Sequence, residues 1–189
     1  MRLLALCIVA ALAFAAAPAH ADDVGYVVPD TKIVPFTSKD GVHAFRLLIG
    51  LPRDYDKRRS ERFPVIYLLD ADYAFPLAQE MLRHATDRGQ LKEAIVVGIG
   101  YPGGDSDLDR YVQNRTRDYT PLYNAEEQKD SGGAAAFLNL LQTELLPYVD
   151  ANFRTDAHDC MIVGHSFRGL FAVYAMLSAP YVFQHYLVV

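Results

Sequence analysis

Apolar runs and mixed apolar and polar stretches alternate along the chain in a way that predicts strands and helices in turn. Three short continuous apolar runs are typical of strands buried on both faces: VIYLLD at residues 65–70, AIVVGIG at 94–100 and CMIV at 160–163. Apolar residues at helical spacing predict helices from about residue 75 to 88, over 134–153, and after residue 166. We expect Pro147 to kink or end the regular part of the second helix.

A β-hairpin is predicted ahead of these elements. TKIVPF at residues 31–36 and VHAFRLLIGLP at 42–52 have the composition of strands, and Asp40-Gly41 between them favours a tight turn. The fold class is therefore α/β, a mostly parallel sheet with helices on both faces and an N-terminal hairpin. In such folds the active site lies at the carboxyl ends of the strands.

The first 21 residues have the pattern of a secretory signal. Arg2 precedes an apolar run over residues 3–17, and Ala19-His20-Ala21 matches the small-x-small pattern of a signal peptidase site. A membrane anchor is the alternative, but the run is short for a bilayer span of about 20 residues. We predict that residues 1–21 are removed and that the protein beginning at Asp22 is periplasmic or secreted.

Composition narrows the possible partners. The chain has 189 residues, of which 51% are hydrophobic and 22% charged, values typical of one globular domain. Its net charge of −5 does not favour the binding of nucleic acid, which is itself negatively charged. No stable membrane insertion is predicted after the signal. Cys160 lies in an apolar strand pattern and is expected to be a buried residue outside any disulfide. No metal cluster or cofactor motif is visible, so no metal or cofactor is predicted, and the oligomeric state stays open.

The stretch GHSFRG at residues 164–169 is the candidate catalytic motif. An apolar strand that enters the serine and an apolar helix that leaves it are the context of a nucleophile elbow, G-x-S-x-G. A bare G-x-S is common, so this context carries the prediction that Ser166 is a nucleophile. Gly164 fits the pattern, whereas Arg168 stands at the second glycine and Gly169 follows it.

Arg168 is expected to damage the elbow. A side chain at this position should overpack the turn against a neighbouring strand and bury a charge without a partner. Arg168→Gly is therefore expected to raise the melting temperature and the rate of ester hydrolysis in a completed protein. The alternative is that Arg168 extends to solvent while Gly169 gives part of the room.

Six stretches occur together in one order: FPVIYLLDADYAF, AIVVGIGYP, RTRDYTP, LLPYVDANFRT, GHSFRGLFAVYAML and FQHYLVV. With them the chain resembles the putative-esterase branch of the α/β-hydrolases, the group of esterase D and the siderophore esterases. The resemblance covers nearly all of the chain after residue 21. It implies a serine esterase that forms an acyl-enzyme at Ser166. The expected partner is a small-molecule carboxylic ester, such as a siderophore lactone or an acylated sugar.

The chemistry of this family also requires an oxyanion hole. The backbone N–H of Phe167 is one expected donor, because the residue after the nucleophile begins a helix. The resemblance assigns the second donor to the N–H of Asp72, in the loop after the VIYLLD strand. Ala71 stands where the family often has glycine. The side chains of Asp70 and Asp72 are interpreted as ordinary loop carboxylates.

Two arginines near the expected mouth of the site are candidate substrate ligands. Arg115 and Arg117 follow the AIVVGIG strand, and their guanidinium groups could bind an acidic acyl group or a catecholate-like ligand. The more usual role of such residues is structural, in an ion pair with a neighbour such as Asp118 that fixes a loop. We favour the structural role over the binding role.

The catalytic acid and histidine of the α/β-hydrolase order are expected after the serine. Residues 167–189 contain no aspartate or glutamate, and their single histidine, His185, lies in a predicted strand. Histidines before the serine are interpreted as structural or as lining of the elbow: His43, His84, His158 and His165. We therefore predict that residues 22–189 form an α/β-hydrolase domain that lacks its C-terminal part and is nearly inactive as given. The alternative is a non-catalytic remnant or binding protein on the same fold.

Overall fold

A computed structural model of the protein describes residues 25–126 and 129–189. Its six strands are β1 (Thr31–Thr37), β2 (Ala44–Gly50), β3 (Phe63–Leu69), β4 (Ile95–Gly100), β5 (Thr155–Gly164) and β6 (His185–Val188). They form one sheet in the order β1-β2-β4-β3-β5-β6. The predicted signal peptide, residues 1–21, lies outside the described residues.

The directions of the strands confirm a mostly parallel sheet with an N-terminal hairpin. Strands β4, β3, β5 and β6 are parallel neighbours, whereas β2 runs antiparallel to both β1 and β4. At the hairpin turn Gly41 has a φ of 73°, a conformation that glycine adopts without strain. The backbone N–H of Val42 donates to the Asp40 carboxylate at 2.9 Å, which closes the turn.

Five helices accompany the sheet in the described part of the chain: α1 (Ala71–Asp87), α2 (Leu108–Tyr119), α3 (Ala134–Leu140), α4 (Leu146–Asn152) and α5 (Phe167–Ser178). Helix α1 begins four residues before the predicted start. The predicted helix over 134–153 is interrupted by a π-helical turn at Leu141–Leu145, just before Pro147. Proline has no N–H to donate to the preceding turn, which explains a break at this place. No helix in the described ranges is both long and apolar enough to cross a bilayer.

The helices cover both faces of the sheet, as predicted. Leu47 and Ile49 point from β2 into the larger core, which also holds Phe137 of α3 and Phe171 of α5. Leu48, between them, points to the opposite face and packs in a smaller cluster with residues of α1. Because side chains alternate along a strand, one strand contributes to two cores. Helix α1 lies on one face, and α2 to α5 lie on the other.

Helix α1 does not cover the whole of the sheet face on which it lies. A groove of about 550 Å³ lies between α1 and the sheet. Apolar side chains line most of this groove, among them Ile66, Met81, Leu91, Met161 and Leu187. Met81 is 64% exposed and Leu187 is 48% exposed. In the described part of the chain the adjacent β6 is the edge strand of the sheet, and an edge strand presents backbone N–H and C=O groups on its outer side.

The 189-residue chain is expected to self-associate through this groove and edge. Exposed contiguous apolar surface next to an open strand edge favours association between copies. Leu187→Lys should lower the mass-average size in sedimentation at a given concentration, because it places a charge on both features. Leu122→Lys is the matched control, since Leu122 is 80% exposed and does not line the groove. A parent chain that stays monomeric at high concentration would contradict this prediction.

Candidate active site

The backbone at Ser166 has the geometry of a strained turn between β5 and α5. Ser166 is exposed, and its φ of 59° and ψ of −124° lie in a region that L-residues rarely occupy. Its side chain forms no hydrogen bond that caps α5, so the hydroxyl is not used to hold the helix. The N–H of Ser166 donates to the carbonyl of Val189 at 3.0 Å, and the N–H of Val189 donates to Gly164 at 3.0 Å. The elbow is thereby fixed to the end of β6.

Two glycines give this turn its room. A Cβ at Gly164 would lie 2.3 Å from the carbonyl oxygen of Arg168, a distance that no side chain tolerates. A Cβ at Gly169 would lie 3.2 Å from Cγ1 of Val188, so the helix approaches β6 at position 169. The expectation that a side chain at position 168 would crowd the neighbouring strand is therefore wrong. The side chain of residue 168 lies on a different side of α5.

Arg168 is buried with a partner. Its side chain is 7% exposed, and its Nε lies 2.6 Å from Oδ2 of Asp70. A second nitrogen, Nη2, donates to the hydroxyl of Tyr73, and the guanidinium carbon lies 5.1 Å from the centre of that ring. Burial lowers the pKa of Arg168, but the Asp70 carboxylate and the Tyr73 contact outweigh it and leave that pKa above its usual value. Both expectations, an unpaired buried charge and an arginine that extends to solvent, are wrong.

Asp70 is the centre of a buried cluster and not an ordinary loop carboxylate. Its side chain is fully buried, and it follows β3 with a φ of 56°, in the left-handed region. Nε of Arg115 lies 3.3 Å from the same Oδ2 that contacts Arg168. Burial raises the pKa of Tyr111 above its usual value, and the nearby Asp70 carboxylate raises it further. Two cations thus share one carboxylate that has no access to water.

The side chain of Asp72 is also buried and paired, contrary to its interpretation as a loop carboxylate. Its Oδ1 accepts from Nη2 of Arg46 at 2.7 Å, and its Oδ2 accepts from the N–H of Tyr101 at 3.1 Å. The carboxylate packs against Gly100, where a Cβ would lie 2.5 Å from Oδ1. These contacts fix the first turn of α1 to the ends of β2 and β4.

The two proposed oxyanion donors occupy equivalent places in the fold. Phe167 is the first residue of α5, and Asp72 is the second residue of α1. N–H groups in the first turn of a helix have no acceptor within that helix and point along the positive end of its dipole. The helices follow β5 and β3, which are parallel neighbours, so both first turns lie at the same edge of the sheet. Their joint role as an oxyanion hole remains a prediction.

The two arginines of the NRTRDYTP stretch lie on α2, a helix that the sequence did not predict, and they have different surroundings. Arg117 forms a two-armed pair with Asp118, with Nε to Oδ1 at 2.7 Å and Nη2 to Oδ2 at 2.9 Å. The hydroxyl of Tyr101 donates to the same carboxylate at 2.9 Å. Arg115 instead lies beside the elbow, with its guanidinium carbon 5.7 Å from the centre of the Phe167 ring. The structural role expected for these arginines agrees with the contacts of Arg117, whereas Arg115 contacts an elbow residue, Phe167.

Arg117→Gln is expected to destabilise the protein by about 1–2 kcal/mol. The change removes a charged two-armed hydrogen bond from a carboxylate that is 1% exposed. Because the Arg117 side chain is itself 35% exposed, solvent screens part of the loss. Thermal unfolding followed by circular dichroism measures the change. Arg110→Gln, at an exposed position of the same helix, is the control. Equal melting temperatures for the two variants would contradict a structural role of the Arg117 pair.

In the described part of the chain, the histidine that pairs with a carboxylate is His185, and this pair lies away from the elbow. His185 lies on β6 opposite Met161, and its Nε2 is 3.2 Å from Oδ1 of Asp159. The elbow is at the other end of that strand pair, where Gly164 faces Val188. His43 stacks beside the ring of Phe45. His84 lies in the last turn of α1, and His158 lies within β5.

The structure also shows the surroundings of the metal-ligating side chains and of the thiol. Within residues 25–126 and 129–189, no group of three or more metal-ligating side chains is placed to hold an ion. Cys160 is buried, as expected, and this burial raises the pKa of its thiol to about 11. The sequence analysis missed the Tyr73 and Tyr111 contacts around Asp70. The one signal for that cluster was the position of Asp70 at the carboxyl end of a buried strand.

Comparison with known proteins gives a consistent set of relatives. The chain is 27% identical over 174 residues to the ferri-bacillibactin esterase BesA of Bacillus subtilis, a match that covers 86% of this chain and 58% of that protein. It is 27% identical over 173 residues to the apo-salmochelin esterase of Escherichia coli, with 87% of this chain and 52% of that protein covered. The chain thus spans little more than half the length of these relatives.

Solved structures share the same fold. The BES protein from Bacillus cereus superposes with a TM-score of 0.77 at 25% identity, over 88% of this chain and 63% of that one. An IroE-like serine hydrolase from Shewanella oneidensis gives a TM-score of 0.70 at 28% identity, over 82% and 49% of the two chains. The family model described as "Putative esterase" matches residues 42–189. Since that match covers most of the sequence, the chain belongs to the putative esterase family and has an α/β-hydrolase type of fold.

Proposed function

We propose that this chain carries the nucleophile and the oxyanion hole of a serine esterase. The observation that carries the proposal is Ser166, exposed on a strained turn between a central parallel strand and a helix, with its hydroxyl free of helix capping. This is the geometry expected of a nucleophile elbow. The siderophore esterases and the serine hydrolase among the relatives support it.

The proposed reaction proceeds through an acyl-enzyme. The Ser166 oxygen attacks the ester carbonyl carbon, and the carbonyl oxygen becomes an oxyanion that accepts hydrogen bonds from the N–H groups of Phe167 and Asp72. The C–O bond to the alcohol then breaks, the alcohol leaves with a proton, and water hydrolyses the acyl-serine. A general base must take the Ser166 proton. We assign that base and its carboxylate to the part of the relatives' length that this chain does not span.

Siderophore lactones are the first proposed substrate class, and acylated sugars are the second. The relatives' names support the first, since they are esterases of bacillibactin and salmochelin. Arg115 supplies the polar contact at the site, because its side chain is 21% exposed and lies against Phe167. A guanidinium in that place suits a catecholate or another anionic oxygen on the acyl group.

The experiment compares the protein from the complete reading frame with the 189-residue chain. The complete protein is expected to hydrolyse p-nitrophenyl butyrate and a cyclic trilactone siderophore, and Arg115→Gln should raise KM for the siderophore more than for the aryl ester. The 189-residue chain should be nearly inactive, because a serine without its base is a poor nucleophile at neutral pH. A complete protein that hydrolyses neither ester at a rate above buffer would refute the esterase proposal.

A second candidate is a binding protein on the same fold. One observation favours it: His185 lies beside Asp159, away from the elbow. The reading frame after Val189 separates the candidates. A stop directly after Val189, with siderophore binding that Ser166→Ala leaves intact, would support binding without catalysis.

We also propose that residues 1–21 are a cleaved secretory signal ahead of a domain over residues 22–189, and that the protein acts in the periplasm or outside the cell. The charged start, the apolar run and the small residues at 19 and 21 support this proposal. N-terminal sequencing of exported protein should give Asp22 as the first residue. Soluble protein that retains residues 1–21 would count against it.

A further inference from the structure

One ion pair connects the two segments that carry the proposed oxyanion donors. Arg168 directly follows Phe167, whose N–H is one donor, and Asp70 lies two residues before Asp72, whose N–H is the other. Nε of Arg168 lies 2.6 Å from Oδ2 of Asp70, and both side chains are almost fully buried. The start of α5 and the start of α1 are therefore joined by a direct side-chain contact.

This contact exists because position 168 is arginine and the next residue is glycine. Gly169 lies where α5 approaches β6, so the space that the elbow needs is provided one residue later than in G-x-S-x-G. The side chain of residue 168 is then free to extend toward the carboxyl end of β3. A glycine at 168 could make no contact with Asp70.

Arg168 restrains the start of α1 through two contacts. Asp70 has left-handed backbone angles and no side-chain capping bond to α1, so its carboxylate is directed to Arg168 and Arg115 instead. Tyr73, in the first turn of α1, accepts a hydrogen bond from the same guanidinium. Arg168 thus contacts Asp70, which precedes Asp72 by two residues, and Tyr73, which follows Asp72 directly. The planar guanidinium suits this task, because one rigid group presents Nε to the Asp70 carboxylate and Nη2 to the Tyr73 hydroxyl.

We infer that Arg168 is a positioning residue that sets the placement of the Asp72 N–H relative to the Phe167 N–H in the oxyanion hole. It acts through Asp70 and Tyr73 and does not touch the substrate. The inference rests on the proposed esterase function for its catalytic consequence, while the structural link itself does not. Donors of an oxyanion hole contribute only when they are held at the place where negative charge develops.

The test uses the protein of the complete reading frame with p-nitrophenyl butyrate. Arg168→Met is expected to lower kcat by about 10-fold or more while KM changes less than about twofold, because a misplaced donor affects the transition state and not ground-state binding. Tyr73→Phe is the milder variant, expected to lower kcat by about 2–10-fold through loss of one hydrogen bond. Tyr73 is 55% exposed, so this second variant should fold even where Arg168→Met does not.

Arg83→Met is the matched control. Arg83 lies near the other end of α1, where Nη1 is 2.8 Å from Oδ2 of Asp30. Loss of this pair should lower the melting temperature and leave kcat unchanged. If Arg168→Met and Tyr73→Phe also lower only the melting temperature, the inference is overturned while the esterase proposal stands.

A second readout does not depend on hydrolysis. In amide NMR spectra of labelled protein, Arg168→Met and Tyr73→Phe should both shift the Asp72 resonance, which Arg83→Met should leave in place. If the complete protein hydrolyses no ester, the proposed function fails, and the Asp72 resonance alone decides the inference. An Asp72 resonance that does not move in either variant would overturn the link.

Discussion

Ser166→Ala is expected to reduce kcat/KM of the complete protein for p-nitrophenyl butyrate by about 10⁴-fold or more, the scale found when the nucleophile of a serine triad is removed. Alanine removes the only atom that can form the acyl-enzyme and leaves the elbow backbone in place. The hydroxyl makes no capping bond to α5, so its loss should not lower the melting temperature measurably. A variant that keeps a tenth of the parent rate would mean that another residue is the nucleophile.

Ser166→Gly is the matched variant that separates catalysis from strain. It should lose hydrolysis to the same extent as Ser166→Ala, yet melt at a higher temperature. A residue in this backbone region stores about 1–3 kcal/mol of strain, and glycine avoids it at an entropic cost of about 0.5–1 kcal/mol. The net gain over alanine is then up to about 2.5 kcal/mol, or up to about 10 °C at about 2–4 °C per kcal/mol for a chain of this size. A glycine variant that melts below the alanine variant would contradict a strained elbow.

The central strands could be predicted from the sequence because burial on both faces gives them uninterrupted apolar runs. VIYLLD and AIVVGIG became β3 and β4, with boundaries that differ from the predicted ones by at most two residues. Helix α2 could not be predicted in the same way. Two of its four buried residues are Thr116 and Asp118, which are polar, so the helix lacks an apolar stripe. The polar groups on its buried side are satisfied by tertiary contacts, such as the hydrogen bond that the Tyr101 hydroxyl donates to Asp118.

At the site, too, the features formed by neighbouring residues could be predicted from the sequence, and the contacts between distant residues could not. The strand, the glycine and the helix around Ser166 are adjacent in sequence, so the elbow was visible from the pattern alone. The partner of Arg168 could not be predicted, because Asp70 lies far from Arg168 in the sequence. The orientation of the Asp70 side chain also depends on a left-handed backbone angle. The sequence alone therefore predicted that burial of the Arg168 charge would destabilise the elbow, without the ion pair to Asp70 that offsets this burial. The carboxylates of Asp70 and Asp72 were underestimated for the same reason.

Arg168→Gly is accordingly expected to lower the melting temperature, the reverse of the expectation from the elbow pattern. Removing one partner of a buried ion pair typically destabilises a protein by roughly 3–5 kcal/mol, because the other charge stays buried. Arg115 remains 3.3 Å from Asp70 and compensates in part. Glycine within a helix adds a further loss of about 1 kcal/mol relative to alanine. We expect a net loss of about 2–4 kcal/mol, which corresponds to about 4–16 °C.

Asp70→Asn supplies the control through a double-mutant cycle. If the two side chains stabilise the fold through each other, the double variant Asp70→Asn with Arg168→Gly should be less destabilised than the sum of the single variants, by about 1 kcal/mol or more. Additive losses would show that the two residues act independently. A glycine variant that melts higher than the parent would show instead that the arginine crowds the elbow, and that the 2.6 Å contact with Asp70 does not compensate for its burial. Because the cycle measures unfolding alone, its result does not depend on whether the protein hydrolyses an ester.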